Sequence, residues 1–132
     1  MEPRTLLAAD PTLCGRAVEL GEGSAEVALE TTEAMVVDTE GLVHGGFVFG
    51  LADYAAMLAV NDPYVVLGGA QTRFLKPVQR GARIVARART TSTQGRKHEV
   101  QVEATVGADT VFEGTFTCIV LERHVLESAG SK

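Results

Sequence analysis

Apolar and polar residues alternate along four stretches of the chain, and each alternation predicts a strand buried on one face. Ala25, Val27 and Leu29 alternate with Glu26 and Glu30, just after the turn-like Gly21-Glu22-Gly23-Ser24. Residues 81–92 place Ile84, Ala86 and Ala88 on one side and Arg83, Arg87 and Arg89 on the other. In residues 98–106, Val100, Val102, Ala104 and Val106 alternate with Glu99, Gln101, Glu103 and Thr105. Residues 110–121 set Phe112, Phe116, Cys118 and Val120 on one face. Gly95 and Gly107-Ala108-Asp109 supply hairpin turns between the last three runs, so these form an antiparallel meander, wet on one side and buried on the other.

The stretch Phe47 to Val60, FVFGLADYAAMLAV, breaks this period. Its leucines, methionine and alanines favour a helix, and it stops at Asn61-Asp62-Pro63, where proline disfavours helical geometry in the residue before it. The helix is apolar on nearly every side, which predicts burial all round. One long central helix among five or six strands is an α+β sheet wrapped around a helix. Residues 1–126 form a single domain on this reading, and 127–132 a disordered tail.

A chain of 132 residues suffices for one core, with 45% apolar and 22% charged residues. The net charge of −5 argues against a nucleic-acid partner. Cys14 and Cys118 are far apart and read as small buried apolar residues, not a disulfide. The first ten residues lack the apolar run of a secretory signal, and Gly45 to Val60 is too short to span a bilayer, so a cytoplasmic protein without a membrane partner is expected. The three histidines and nearby carboxylates show no metal-ligand spacing, and no cofactor is implied.

Asp53 is the only charged residue between Gly45 and Val60. A carboxylate on a buried helix is costly unless it is hydrogen-bonded, solvated in a cleft or used, and this helix offers it no polar face. Just upstream, Gly45 and Gly46 stand at a helix start, where backbone N–H groups have no partner within the helix. Such donors suit a carbonyl oxygen that becomes an oxyanion on attack. Gly46 and Asp53 are seven residues apart, about two turns and ~10 Å along the axis, on one face. That is too far for both to act on one carbon. If both act, they come from different subunits, with two such helices antiparallel across a twofold axis. His44 is expected to lock the loop through a hydrogen bond instead of serving as a base, and His98 and His124 read as structural or surface residues.

Eight of the 12 Lys and Arg fall between Arg73 and Lys97, an interval without Asp or Glu, while the remainder holds four basic and 17 acidic residues. A polyphosphate ligand would be steered towards this segment. The other reading, a solvated strand face balanced by acidic neighbours, stands beside it for Arg83, Arg87 and Arg89. Arg96 and Lys97, adjacent on a turn, are the better phosphate candidates, and Arg80 joins them as a candidate contact.

His44-Gly45-Gly46, Leu51-Ala52-Asp53 and Phe74-Leu75-Lys76-Pro77 resemble the phenylacetate-degradation type of hotdog-fold acyl-CoA thioesterase. The likeness covers about residues 38–121. It implies that the Gly46 amide polarises a thioester carbonyl while Asp53 of the partner subunit acts as general base on water or as nucleophile. It also implies an acyl-coenzyme A substrate and a homodimer that can stack into higher oligomers. Phe47, Phe49, Tyr54 and Met57 would line or border the acyl tunnel, and Phe47 and Tyr54 are candidate substrate contacts. The run Leu42 to Asn61 also resembles a smaller hotdog subgroup of flagella-coregulated virulence factors.

Two positions depart from the pattern. Relatives carry Asn six residues before the histidine, where this chain has Asp38, which when ionised accepts hydrogen bonds but cannot donate them. The Ser or Thr expected after the helix falls at Leu67-Gly68-Gly69, and Gln71 or Thr72 could replace it only in a shifted register. These departures keep a non-catalytic acyl-CoA binder or sensor as the alternative to a thioesterase. A hotdog dehydratase or hydratase fits an in-helix Asp after HGG poorly.

Overall fold

The computed structural model describes residues 1–130. Six strands form one antiparallel sheet in the order β1-β2-β4-β5-β6-β3. They are β1 (Arg16–Gly21), β2 (Ser24–Glu30), β3 (Val65–Phe74), β4 (Arg83–Gln94), β5 (Lys97–Val106) and β6 (Asp109–Val120). Three α-helices and a 3-10 turn (Glu33–Met35) accompany them among the described residues: α1 (Pro11–Cys14), the long α2 (Gly45–Val60) and α3 (Val125–Gly130). The tail expected to lack structure from Glu127 falls partly in α3, and its last residues, 131 and 132, lie outside the described residues.

The alternation seen in the sequence is the alternation of burial. Ile84, Ala86 and Ala88 on β4 and Val100, Val102 and Ala104 on β5 are at most 3% exposed, and on β6 Phe112, Phe116 and Cys118 are fully buried. The arginines and glutamates between them point to the outer face. Gly95 and Gly107 adopt φ of 60° and 58°, the left-handed geometry that two-residue hairpins require. The meander β4-β5-β6 follows from these turns.

Helix α2 packs mainly against β2, β4 and β5, and less against β3 and β6. Its first turn begins two residues before the periodicity predicts, so Gly45 and Gly46 are inside the helix. It ends at Asn61, whose left-handed φ of 54° and N–H bond to the Met57 carbonyl terminate it. The Asn61 side chain is buried and holds the N-terminal segment: Oδ1 accepts from the Arg4 N–H at 2.7 Å, and Nδ2 donates to the Glu2 carbonyl at 3.0 Å.

Burial of α2 is one-sided, contrary to the expectation of burial all round. Val48, Leu51, Ala52, Ala55, Ala56, Met57, Leu58 and Ala59 are buried. Gly46 is exposed, and Phe47, Gly50, Asp53 and Tyr54 are half-buried. These five share one face at helical spacing. A single sheet covers one side of a helix, and among the described residues only the short α1 packs against α2 from elsewhere, leaving these five part-open. Two strands also escaped the alternation. Edge strand β1 has a bulge between Ala17 and Glu19, and edge strand β3 has one between Leu67 and Gly69.

Candidate active site on the open face of the central helix

The start of α2 is fixed by the loop before it. Val36 bridges to Val43, Leu42 bridges to Gln79, and the His44 N–H donates to the Met35 carbonyl at 2.9 Å. Asp38 shapes this loop: its Oδ1 accepts from the N–H groups of Glu40, at 2.9 Å, and Leu42, at 3.1 Å. Within one chain, then, the Asp38 carboxylate turns into its own loop. It forms no pair with Asp53.

His44 is the N-cap of α2, but its side chain makes no capping hydrogen bond, contrary to the expected locking role. Its backbone does the locking. The ring lies over Gly46 and stands edge-on to Phe47, with centroids 6.1 Å apart. Gly45 meets a different ring: a Cβ there would lie 3.1 Å from Cε2 of Phe74. Phe74 ends β3 and packs edge-on to Phe112 at 5.1 Å. A cavity of about 190 Å³ opens beside Gly45, between Val48, Val111 and the Phe74–Pro77 turn. Among the described residues neither the Gly45 nor the Gly46 N–H finds an acceptor, as the first turn of a helix dictates.

Asp53 lies on the same face, two turns on. Its Oδ1 is buried and has no hydrogen-bond partner, and no basic side chain among the described residues pairs with it. Burial alone raises its pKa above the ordinary carboxylate value. The Asp53 charge reaches two cysteines. It adds to the burial that raises the Cys14 thiol and the burial that pushes Cys118 up to about 12. Both cysteines are free. Tyr54, the next residue, is also raised by burial.

The candidate phosphate contacts are already engaged. Seven of the eight basic residues in the 73–97 segment pair with carboxylates: Arg73 with Glu113 at 3.7 Å, Lys76 with Asp109 at 2.9 Å, Arg80 with Glu33 at 2.8 Å, Arg83 with Glu30 at 3.1 Å, Arg87 with Glu26 at 3.3 Å, Lys97 with Glu99 at 3.8 Å, and Arg96 with Glu122. The acidic face of β2 sits directly opposite the arginines of β4, in the register Glu26↔Arg87 and Glu30↔Arg83. The segment is therefore a neutralised outer face more than a positive funnel, and the solvated-face reading holds for Arg83 and Arg87.

Gln71 does not reach Asp53 within its own chain. It pairs with Thr115, on the sheet face opposite Phe116, and is exposed, whereas Thr72 faces inward opposite Gly114. Leu67–Gly69 holds a bulge and no hydroxyl. His98 and His124 do have local partners: His98 Nδ1 lies 3.3 Å from the Thr93 hydroxyl, and His124 Nδ1 accepts from the Leu126 N–H at 3.0 Å.

Sequence reasoning missed the N-terminal strap. Arg4 to Ala9, Pro63 to Val66, His124 and Val125 line a cavity of about 720 Å³ away from Asp53. The left-handed Asn61 before Asp62-Pro63 was the available signal. No helix among the described residues is long and apolar enough to cross a membrane.

The thioesterase superfamily is matched over residues 40–113. Among solved structures, the chain superposes on an uncharacterized protein from Pyrococcus horikoshii with a TM-score of 0.94 and 52% identity, covering 96% of this chain and 97% of that one. A sigma28-regulated virulence protein from Campylobacter jejuni gives a TM-score of 0.92 at 28% identity, over 95% and 89% of the two chains. The phenylacetic acid degradation protein PaaI from Thermus thermophilus, in a mutant form, gives 0.75 at 32% identity, over 83% and 95%. Two longer curated proteins are also similar. A protein of Aquifex aeolicus named methylthioribose-1-phosphate isomerase is 51% identical over 92% of this chain, which spans only 26% of it. The transcription factor FapR of Caldanaerobacter subterraneus is 30% identical over 94% of this chain, which spans 62% of it. Both of the expected resemblances, to the phenylacetate-degradation type and to the flagella-coregulated group, are met, and the six-stranded sheet around α2 is the hotdog fold.

Proposed function

This chain belongs to the thioesterase superfamily, and from that premise we propose that it hydrolyses the thioester of an acyl-coenzyme A as a homodimer, Asp53 of one subunit acting opposite Gly46 of the other. The observation that carries the reading is Asp53 itself. Leaving a buried carboxylate oxygen unpaired costs the fold stability, and nothing in its own chain uses it. A group held at such a cost is a candidate for chemistry.

The steps balance without a cofactor. Asp53 takes a proton from water as the water oxygen attacks the thioester carbon. The Gly46 N–H, pointing out of the first turn of α2 with no acceptor of its own, donates to the developing oxyanion. The tetrahedral intermediate collapses, the C–S bond breaks, and the proton held by Asp53 passes to the departing coenzyme A sulfur. The products are a carboxylic acid and free coenzyme A. In the nucleophilic variant the carboxylate attacks first and the C–S bond breaks as coenzyme A leaves as its thiolate; water then opens the mixed anhydride, freeing the acid and Asp53, and one of its protons goes to the thiolate. A raised pKa favours both, because a more basic carboxylate is a better proton acceptor and a better nucleophile. In this reading the half-buried rings of Phe47 and Tyr54, on the same open face as Asp53, are the acyl contacts. A cytosolic location, where acyl-coenzyme A is available, is part of the same proposal.

The test is a panel of short aromatic and aliphatic acyl-CoAs, with released thiol read by a disulfide reagent, on wild type and Asp53→Ala together. Turnover in the wild type that the variant loses supports hydrolysis; equal rates in both would sink it.

A second reading, an acyl-CoA sensor without turnover, is favoured by the likeness to a transcription factor over most of this chain. Saturable binding of an acyl-CoA by calorimetry, with no thiol released over hours, would select it.

A further inference from the structure

Position 50 is a glycine in the middle of a long helix, where glycine is a poor helix former relative to alanine. Its own chain gives no reason for the choice. A Cβ added to Gly50 meets nothing within 4 Å, whereas one at Gly45 or Gly46 meets an aromatic ring at 3.1 or 3.0 Å. Gly50 lies on the open face, four residues after Gly46 and three before Asp53.

Resting on the dimeric reading above, we infer that Gly50 is the contact point where α2 crosses its twofold-related copy, and that its missing side chain sets the distance between the Asp53 carboxylate and the Gly46 amide across the interface. The register follows from arithmetic. If Gly46 of one antiparallel helix faces Asp53 of the other, the twofold axis passes midway between the two positions, between Phe49 and Gly50. The Phe49 ring is engaged in its own subunit, against Phe116 with centroids 5.5 Å apart. That leaves Gly50 at the crossing. The two Gly50 Cα atoms are then offset by one residue, about 1.5 Å along the axis. Charge supports the same pairing, since the start of one helix, positive by its dipole, faces the Asp53 carboxylate of the other across the space that the thioester would occupy.

An Asp side chain is short, so its reach across to an amide of the neighbouring helix depends on how closely the backbones approach. Packed helices lie about 8–10 Å apart according to the side chains between them, and glycine on both sides permits the low end. Gly50 is thus a positioning residue. It touches no substrate.

The decisive experiment is symmetric crosslinking. In a Cys14→Ser background, with Cys118 buried and left in place, Gly50→Cys is expected to form a covalent dimer under mild oxidation. Val18→Cys, on the 52% exposed face of edge strand β1, is expected to stay monomeric on a non-reducing gel. Because position 50 is open within the subunit, Gly50→Leu should keep the far-ultraviolet dichroism of the wild type yet sediment as a monomer. Gly50→Ala should remain dimeric and lose kcat on the order of tenfold to a hundredfold, with little change in KM, as a misplacement of about 1 Å does. A Gly50→Cys protein that sediments as a dimer but does not crosslink overturns the inference, as does a Gly50→Leu protein that dimerises like wild type. Crosslinking without hydrolysis of any acyl-CoA leaves the crossing in place and removes the hydrolase; hydrolysis by a protein that does not crosslink does the reverse.

Discussion

The imidazole of His44 lies against Gly46 so closely that a Cβ at position 46 would stand 3.0 Å from Nε2 and 3.1 Å from Cδ2. The ring is exposed and makes no hydrogen bond, so it can swing away, and the contact concerns the site more than the fold. Gly46→Ala is expected to fold with stability within ~1 kcal/mol of wild type. Its amide is kept, but the added methyl crowds the approach to it, and kcat should fall, up to the ~10²–10³ that full loss of an oxyanion donor costs. His44→Ala should leave stability within ~0.5 kcal/mol, because the backbone N–H to Met35 holds the loop. It should cost less activity than Asp53→Ala. Urea denaturation and thiol-release kinetics on the three variants check this order.

The paired basic residues on the outer face give a second expectation. Arg96 and Lys97 are more than half exposed and already satisfied by Glu122 and Glu99. Exposed pairs contribute about 0–1 kcal/mol. Arg96→Ala and Lys97→Ala should therefore each change KM for an acyl-CoA by less than about fivefold, the equivalent of 1 kcal/mol. A larger rise in KM that also steepens with falling salt would show that these side chains leave their carboxylates to grip phosphate.

Why the sequence reveals the meander and the helix, but not these pairings, is a matter of range. Strands β4, β5 and β6 are long, alternate over most of their length despite irregularities at Thr90–Ser92 and Ala104–Thr105, and are joined by two-residue turns, so local pattern carries most of their information. The glutamates that neutralise Arg83 and Arg87 come from β2, more than fifty residues earlier, and only strand pairing brings them opposite. Strand β3 hides because its bulge at Leu67–Gly69 breaks the period. The open face of α2 hides for a different reason. Gly46, Phe47, Gly50 and Tyr54 are as apolar or small as the buried residues behind them, so composition does not separate a face against the sheet from a face awaiting a partner. Asp53 was the one visible mark on it, because a charge on a helix without a polar face favours use over a merely solvated or capping role.

Asn61 couples the end of α2 to the N-terminal strap. It supplies a left-handed φ of 54°, which alanine adopts poorly, and two side-chain hydrogen bonds to the Glu2 and Arg4 backbone. Asn61→Ala loses both and should cost ~2–3 kcal/mol, whereas Asn61→Gly keeps the backbone geometry and should cost ~1–2 kcal/mol. In both variants the bonds at Glu2 and Arg4 become faster to cut by protease at native temperature. Equal stability of the two variants would mean that the φ requirement contributes nothing.

Asp53 ties stability to activity through pH. Burial raises its folded-state pKa above the unfolded value near 3.8, so between the two values the native state holds the proton more tightly than the unfolded chain. Stability from this group is present at low pH and is lost as pH rises through the folded pKa. Asp53→Asn has no such proton to lose. The variant should therefore gain on wild type as pH climbs from about 4 towards neutrality, the difference levelling off once Asp53 is ionised. Activity should run the opposite way, because a general base works only when ionised. In the wild type, kcat/KM should rise with pH along a limb displaced above the ordinary carboxylate range, and in Asp53→Asn the residual rate should fall by ~10²–10⁴ and lose that limb. Denaturation midpoints and pH–rate profiles of both proteins measure the two halves separately. A stability gap that widens towards acid, instead of towards neutral pH, would mean that the Asp53 carboxylate finds a stabilising partner in the assembled protein and is not held unpaired for chemistry.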